Sequence, residues 1–195
     1  MSLERFCIKF FTRTGIDIED AVFIDIFHKW IRLKKLDGVL LDVADYRHVP
    51  EGPSVMLISH EINYALDYAE GRFGLFAQRK IGGGAAHRAG LLELIRSTVA
   101  LGALLEADPR LDGRLKLEAG RFYYMSNDRL LAPNTAEAFN RLKPDLQAAA
   151  GLVYPDQAVT VARVANDVRD RLTIAVDSGQ PLDISALVEP VGAAA

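Results

Sequence analysis

At Gln78-Arg79-Lys80-Ile81-Gly82-Gly83-Gly84-Ala85-Ala86-His87-Arg88 a strand-like run ends, glycines follow in succession, and a pattern of helical period begins. Few backbone paths pass through such a corner. Glycine has no Cβ to restrict it, and the first turn of the next helix leaves N–H groups without partners while its dipole favours negative charge. The corner therefore predicts a strand ending before it, a helix starting after it, and an anion cradle between them. His87 and Arg88, on the first helical turn, either add positive charge to that cradle or form a solvated helix start.

Periodicity orders the rest of the chain. Arg5 to Phe11 reads as a short strand, and Thr14-Gly15 turns toward a helix with Asp17 as N-cap and Val22, Ile26, Trp30 and Leu33 on its apolar face. Asp37-Gly38 ends that helix. Val39 to Asp45 is a nearly continuous apolar run, the pattern of a strand covered on both faces. From Ser54 to Asp67, Met56, Ile58, His60, Ile62, Tyr64 and Leu66 alternate with polar residues as one long strand, which places Glu61 on the face opposite His60. Ala69-Glu70-Gly71 turns it into Arg72 to Gln78, its antiparallel partner.

Beyond the glycines, Leu91, Leu94, Ile95, Thr98, Leu101 and Leu105 mark one side of a helix reaching Asp108-Pro109. Leu115 to Met125 alternates as a strand with a bulge expected at Gly120. Asn134, with Glu137 three residues on, reads as the N-cap of a third helix that Pro144 kinks and Gly151 stops. Ala158 to Ala165 and Arg171 to Val176 form a closing hairpin across Asn166-Asp167. These elements predict an α+β fold, a mostly antiparallel sheet of about seven strands with three helices packed on it. A single domain covers 1–178, and 179–195 is expected to be an irregular tail.

A formal charge of −3 and pI near 5.8 supply no global attraction for nucleic acid, and no basic patch exceeds Arg79, Lys80 and Arg88. Cys7 is the single cysteine, which excludes an intrachain disulfide and fits a reducing compartment. No signal-peptide apolar region follows Met1 and no apolar run has membrane-span length, so the expectation is a cytoplasmic protein without a membrane partner. Asp42, Asp45 and His48, followed by His60-Glu61, include metal-ligand types without specific spacing. The expectation is no metal, with His60 as a hydrogen-bonded core residue. Ser59 lacks a nucleophile elbow and Cys7 has no neighbouring histidine, so neither points to covalent catalysis.

Arg79-Lys80-Ile81-Gly82-Gly83-Gly84 fits R-x-x-G-x-G/A, and through it the chain resembles the GNAT acyltransferase superfamily, where a strand end and a helix start cradle the coenzyme A pyrophosphate. The element order resembles that fold too, and Asn134 is similar to the start of the family's N-x-x-A segment. The resemblance implies an acyl-CoA-dependent N-acyltransferase with acetyl-CoA or another acyl-CoA as co-substrate and a small-molecule amine as acceptor. It implies that amides of Gly82, Gly84 and Ala85 bind the pyrophosphate with help from Arg79, and that backbone at Phe76 and Ala77 polarises the thioester carbonyl from a splayed strand edge. Glu61 is the base available to such an enzyme, and Tyr154, downstream of Pro144, the available acid.

Asp37 to Tyr46 and Asn127 to Asn134 also resemble blocks of uncharacterised bacterial proteins, which implies no activity. The competing reading is a non-catalytic binding or assembly protein, self-associating into a homo-oligomer or meeting another partner. It draws on the missing complete catalytic constellation and on strands apolar on both sides.

Overall fold

The computed structural model describes residues 3–15, 17–49, 52–81, 84 and 86–193. Its elements run β1 (Phe6–Thr12), α1 (Asp20–Leu33), β2 (Leu40–Asp45), β3 (Pro53–Ser59), β4 (Ile62–Asp67), β5 (Gly74–Arg79), α2 (His87–Glu106), β6 (Leu117–Ser126), α3 (Ala136–Val153), β7 (Thr160–Arg163), β8 (Thr173–Asp177) and α4 (Val188–Ala193). The strands form one eight-stranded sheet in the order β2-β3-β4-β5-β1-β6-β8-β7. Every neighbouring pair is antiparallel. The fold is α+β, as the periodicities predict.

β1 holds the middle of the sheet, and all seven of its residues are buried. It pairs with β5 on one side and β6 on the other, so β5 and β6 run parallel to each other with β1 between them. The connection β5-α2-β6 is thus a split βαβ unit. Odd and even residues divide the two faces. Phe6, Ile8 and Phe10 look into one apolar cluster shared with Leu75, Ala77, Phe122 and Tyr124 and with the inner sides of α1, α2 and α3. Cys7, Lys9 and Phe11 look the other way, in rows with Gln78 and Met125, with Phe76 and Tyr123, and with Gly74.

Several expectations are corrected. Residues 54–67 are two strands, because the chain reverses at His60-Glu61, where Ser59 Oγ donates to the Ile62 carbonyl and accepts from its N–H at 3.2 Å. Two turn residues switch the parity. Val55 and Leu57 point inward before the turn, Ile62, Tyr64 and Leu66 after it, and Met56 and Ile58 are half-buried on the other side. β2 is an edge strand, not a strand covered on both faces, and Leu41 is 55% exposed there.

Helix boundaries move by a few residues. α1 begins after Glu19, not at an Asp17 cap. Thr135 caps α3, its hydroxyl accepting from Ala138 N–H at 3.2 Å, while Asn134 joins the β7–β8 connection through Asn166 and Arg163. α3 continues through both Pro144 and Gly151. The bulge expected at Gly120 is present as a register shift between β1 and β6. The segment expected to be an irregular tail carries a 3-10 turn at Ile184–Leu187 and α4, with Ile184, Leu187 and Val191 buried. It packs at Gly120 and Gly102, where an added Cβ would lie 1.8 Å from the Gln180 carbonyl oxygen and 3.2 Å from Ile184 Cγ1, respectively.

Candidate functional site

Of the glycine corner, Gly82, Gly83 and Ala85 lie outside the described residues, so the amide cradle placed on them does too. Gly84 is exposed with φ +73, a left-handed conformation that favours glycine. The other residues tied to acyl transfer stand elsewhere than expected. β5 is an interior strand, with Phe76 facing Lys9 on one side and Ala65 on the other, and Ala77 facing Ile8 and Tyr64. β1 occupies the gap between the two parallel strands, so Phe76 and Ala77 offer no splayed edge to a thioester.

Arg79 belongs to the helix-covered face, and its guanidinium is slotted under α2. A Cβ on Gly90 would lie 1.8 Å from Arg79 Nη1, and Nη2 donates to Glu93 Oε2 at 3.1 Å. Its charge is spent inside rather than on a pyrophosphate. Tyr154 is 1% exposed, and its hydroxyl donates to the Ala119 carbonyl at 2.7 Å. Burial pushes that phenol far above its ordinary range, and its proton is committed to a backbone carbonyl. Glu61 sits at the β3–β4 turn, exposed, its carbonyl accepting from Lys80 N–H at 2.9 Å. It borders a small hollow of about 180 Å³ with His60, Asp37, Glu93, Tyr64 and Ser97. Of the residues considered for a metal, Asp45 is a chelating partner of Arg47 and Asp42 accepts from Val43 N–H at 2.8 Å. Among the described residues no group of three or more His, Cys, Asp or Glu side chains converges.

The site with convergent polar groups lies at the start of α2. His87 is its first residue, 8% exposed, and its ring is edge-on to Phe6 at 5.1 Å. Nδ1 lies 2.9 Å from Asp145 Oδ2 on α3, and Nε2 lies 3.0 Å from the Tyr124 hydroxyl on β6. A carboxylate only accepts, so Nδ1 carries the proton and Nε2 accepts from Tyr124. Burial holds the Tyr124 phenol protonated, and burial above all lowers the His87 pKa against the opposing pull of Asp145. The pair is therefore a hydrogen bond from a neutral imidazole, not an ion pair.

Around it opens a cavity of about 630 Å³. Its walls are Leu3, Leu130, Leu131, Ala132 and Leu142, and its polar groups are His87, Arg141 and Asp145. The volume falls within the range of small-molecule pockets, as does the scheme of apolar walls with a few fixed polar groups. The sequence builds it locally. Asp128 Oδ1 accepts from Leu130 N–H and Leu131 N–H, each at 3.1 Å, in an Asx-type turn that places both leucines at the mouth. The inner side of α3, Ala138, Leu142, Leu146 and Ala149, seats the helix so that Asp145 reaches His87.

Arg141 and Asp145 stand one turn apart, a spacing at which opposite charges ordinarily pair. Here Arg141 donates to the Leu131 carbonyl and Asp145 accepts from His87, so the two charges are held apart across the cavity. Asp145 Oδ1 carries no hydrogen bond among the described residues, and the side chain is 44% exposed. Sequence reasoning placed His87 on this first turn as a cradle cation or a solvated residue, whereas burial makes it a neutral partner of Asp145 and Tyr124, which lie 58 and 37 residues away with no spacing to betray them.

No helix among the described residues is long and apolar enough to cross a membrane. No protein-family model, curated protein or solved structure matches the chain.

Proposed function

We propose that the protein is a non-catalytic binder of a small zwitterionic amphiphile, a molecule with an amine beside an anionic group on an apolar body. One observation carries the reading: both ring nitrogens of His87 are committed, to Asp145 and to Tyr124, so the polar end of the cavity is a fixed recognition group without a free imidazole nitrogen. Asp145 Oδ1 takes the amine, Arg141 takes the anionic group, and the leucines take the apolar body. The amine of this ligand is the same chemistry expected of an acyl acceptor, now as a bound ligand.

Thermal melting in the presence of leucine and phenylalanine tests it, with the N-acetylated and the carboxamide forms as controls. A ligand at a hundred times its dissociation constant adds about 2.7 kcal/mol and raises Tm by several degrees. Asp145→Asn removes the advantage of the free amine, and Arg141→Gln that of the carboxylate. Absence of a shift throughout the series, or equal shifts in both variants, ends the proposal. A Tm rise with acetyl-CoA that Asp145→Asn leaves unchanged restores acyl transfer in its place.

A further inference from the structure

We propose a second binding site, on the sheet face opposite His87, for an aromatic oxyanion: a planar ring carrying a carboxylate or a phosphate. A cavity of about 690 Å³ lies there between the Tyr68–Gly71 rim and the β7–β8 connection, with Tyr123 and Thr173 of the open face below it. Arg129 and Arg171 reach into it.

The rim is held from beneath. Lys9, 0% exposed, donates its three ammonium protons to Asp67 at 2.8 Å, to the Ala69 carbonyl at 2.5 Å and to Glu70 at 3.0 Å. Glu70 sits in the left-handed region at φ 58, ψ 25, a conformation that a glutamate adopts only when its surroundings enforce it. Lys9 thus fixes the rim, sharing one positive charge between Asp67 and Glu70, and Arg171 faces Glu70 from 3.8 Å.

The arginines keep their donors. Arg171 Nη2 stands 3.8 Å from Glu70 Oε1, beyond hydrogen-bond reach, and Nη1 makes only a weak contact to Cys7 Sγ at 3.8 Å. Its guanidinium lies over the Phe76 ring at 5.8 Å, fixed in orientation while two-thirds of the side chain is covered. Arg129 is exposed and has no hydrogen-bond partner among the described residues. Asp170 at the mouth forms an ion pair with neither arginine. Two guanidinium forks with unspent donors suit a planar oxyanion, which they grip through paired N–H groups. Tyr68, 44% exposed, and Tyr123 supply ring faces for the aromatic part.

Isothermal titration of the full chain with benzoate, phenyl phosphate, inorganic phosphate and benzylamine tests the site. The expected result is saturable binding of benzoate or phenyl phosphate below about 10 mM, weakened about tenfold by Arg129→Gln and by Arg171→Gln, with Asp145→Asn without effect. The tighter of the two aryl anions tells carboxylate from phosphate. Arg129 is exposed and without a partner, so its variant keeps the test valid should Arg171→Gln disturb folding. No saturable binding of either aryl anion, binding that Arg129→Gln leaves intact, inorganic phosphate equalling phenyl phosphate, or benzylamine matching benzoate would each overturn the proposal. Because Asp145 serves the other cavity, loss here and loss there are read separately.

Discussion

Beneath α2, on the covered face of the sheet, buried polar groups are kept neutral or given one charged partner: His87 donates a hydrogen bond to Asp145 and accepts one from Tyr124, and Arg79 reaches Glu93 at 3.1 Å. On the open face, Lys9 is as deeply buried, with two carboxylates and a carbonyl around one ammonium. A helix layer excludes water, and in a dry layer an unneutralised charge is expensive. Over Lys9 on the open face lies the Ala69–Gly71 turn, and there the ammonium itself draws that turn down onto the sheet. One face is ordered by apolar packing and adjusts its protonation to suit. The other is ordered by an ion cluster around Lys9.

The sharpest way to break that contrast is Lys9→Met. It leaves Asp67 and Glu70, 7% and 25% exposed as side chains, facing each other without a cation, and the Ala69 carbonyl without a donor. Removing one partner of a buried ion cluster destabilises by about 4 kcal/mol. Urea unfolding reads this as a lower midpoint at unchanged slope. Adding Asp67→Asn to Lys9→Met should recover part of the loss, because it removes one of the stranded charges. A Lys9→Met variant as stable as the parent would mean that apolar packing, not the ammonium, orders this face.

The covered face responds to pH instead. His87 has a folded pKa below its ordinary 6.5, with burial the leading cause and the Asp145 hydrogen bond opposing it. Above 6.5 the imidazole is neutral in both states, and its contribution is fully present. As pH falls below that value the unfolded chain takes the proton first, so stability declines until pH passes the folded pKa. The groups facing the ring are Asp145 on α3, Tyr124 on β6 and Arg79 on β5. His87→Leu removes the decline in this window and leaves the Tyr124 hydroxyl buried without an acceptor, which destabilises by about 2 kcal/mol at neutral pH. Unfolding curves across the mildly acidic range distinguish the two effects. A variant that keeps the parent's slope there would show that another group titrates.

The same contrast explains what could be read along the chain. Helical and strand periods, the end of β5 and start of α2 around the glycines, the β4–β5 hairpin and the bulge at Gly120 are local and were visible. β3 hid its turn because Val55, Met56, Leu57 and Ile58 are apolar on both sides, so the even residues continued a false alternation through His60 into β4. β2 reads as an interior strand for a related reason: hydrophobicity alone does not reveal an edge, and strand order is set by contacts distant in sequence. The site was least visible. His87, Asp145 and Tyr124 come from three elements, and Lys9 meets Glu70 across 61 residues. What a motif did suggest, a splayed edge at Phe76 and Ala77, was undone by β1, an element far from the motif that fills the gap.

The smallest effects fall on the residues first assigned to acid and base chemistry, and they separate a buried hydroxyl from an exposed carboxylate. Tyr154→Phe removes one hydrogen bond, to the Ala119 carbonyl on β6, beneath the end of α3. A neutral buried hydrogen bond contributes about 1 kcal/mol, so the variant should lose that much stability. Glu61→Gln changes a side chain on an exposed turn, and the change should stay within about 0.5 kcal/mol. Neither substitution should alter the Tm response to leucine or phenylalanine, because both residues lie outside the lining of the His87 cavity. Should Glu61→Gln abolish that response while leaving stability intact, the ligand would have to sit in the small hollow beside His60 and Glu93, and recognition would move from α3 to the β3–β4 turn.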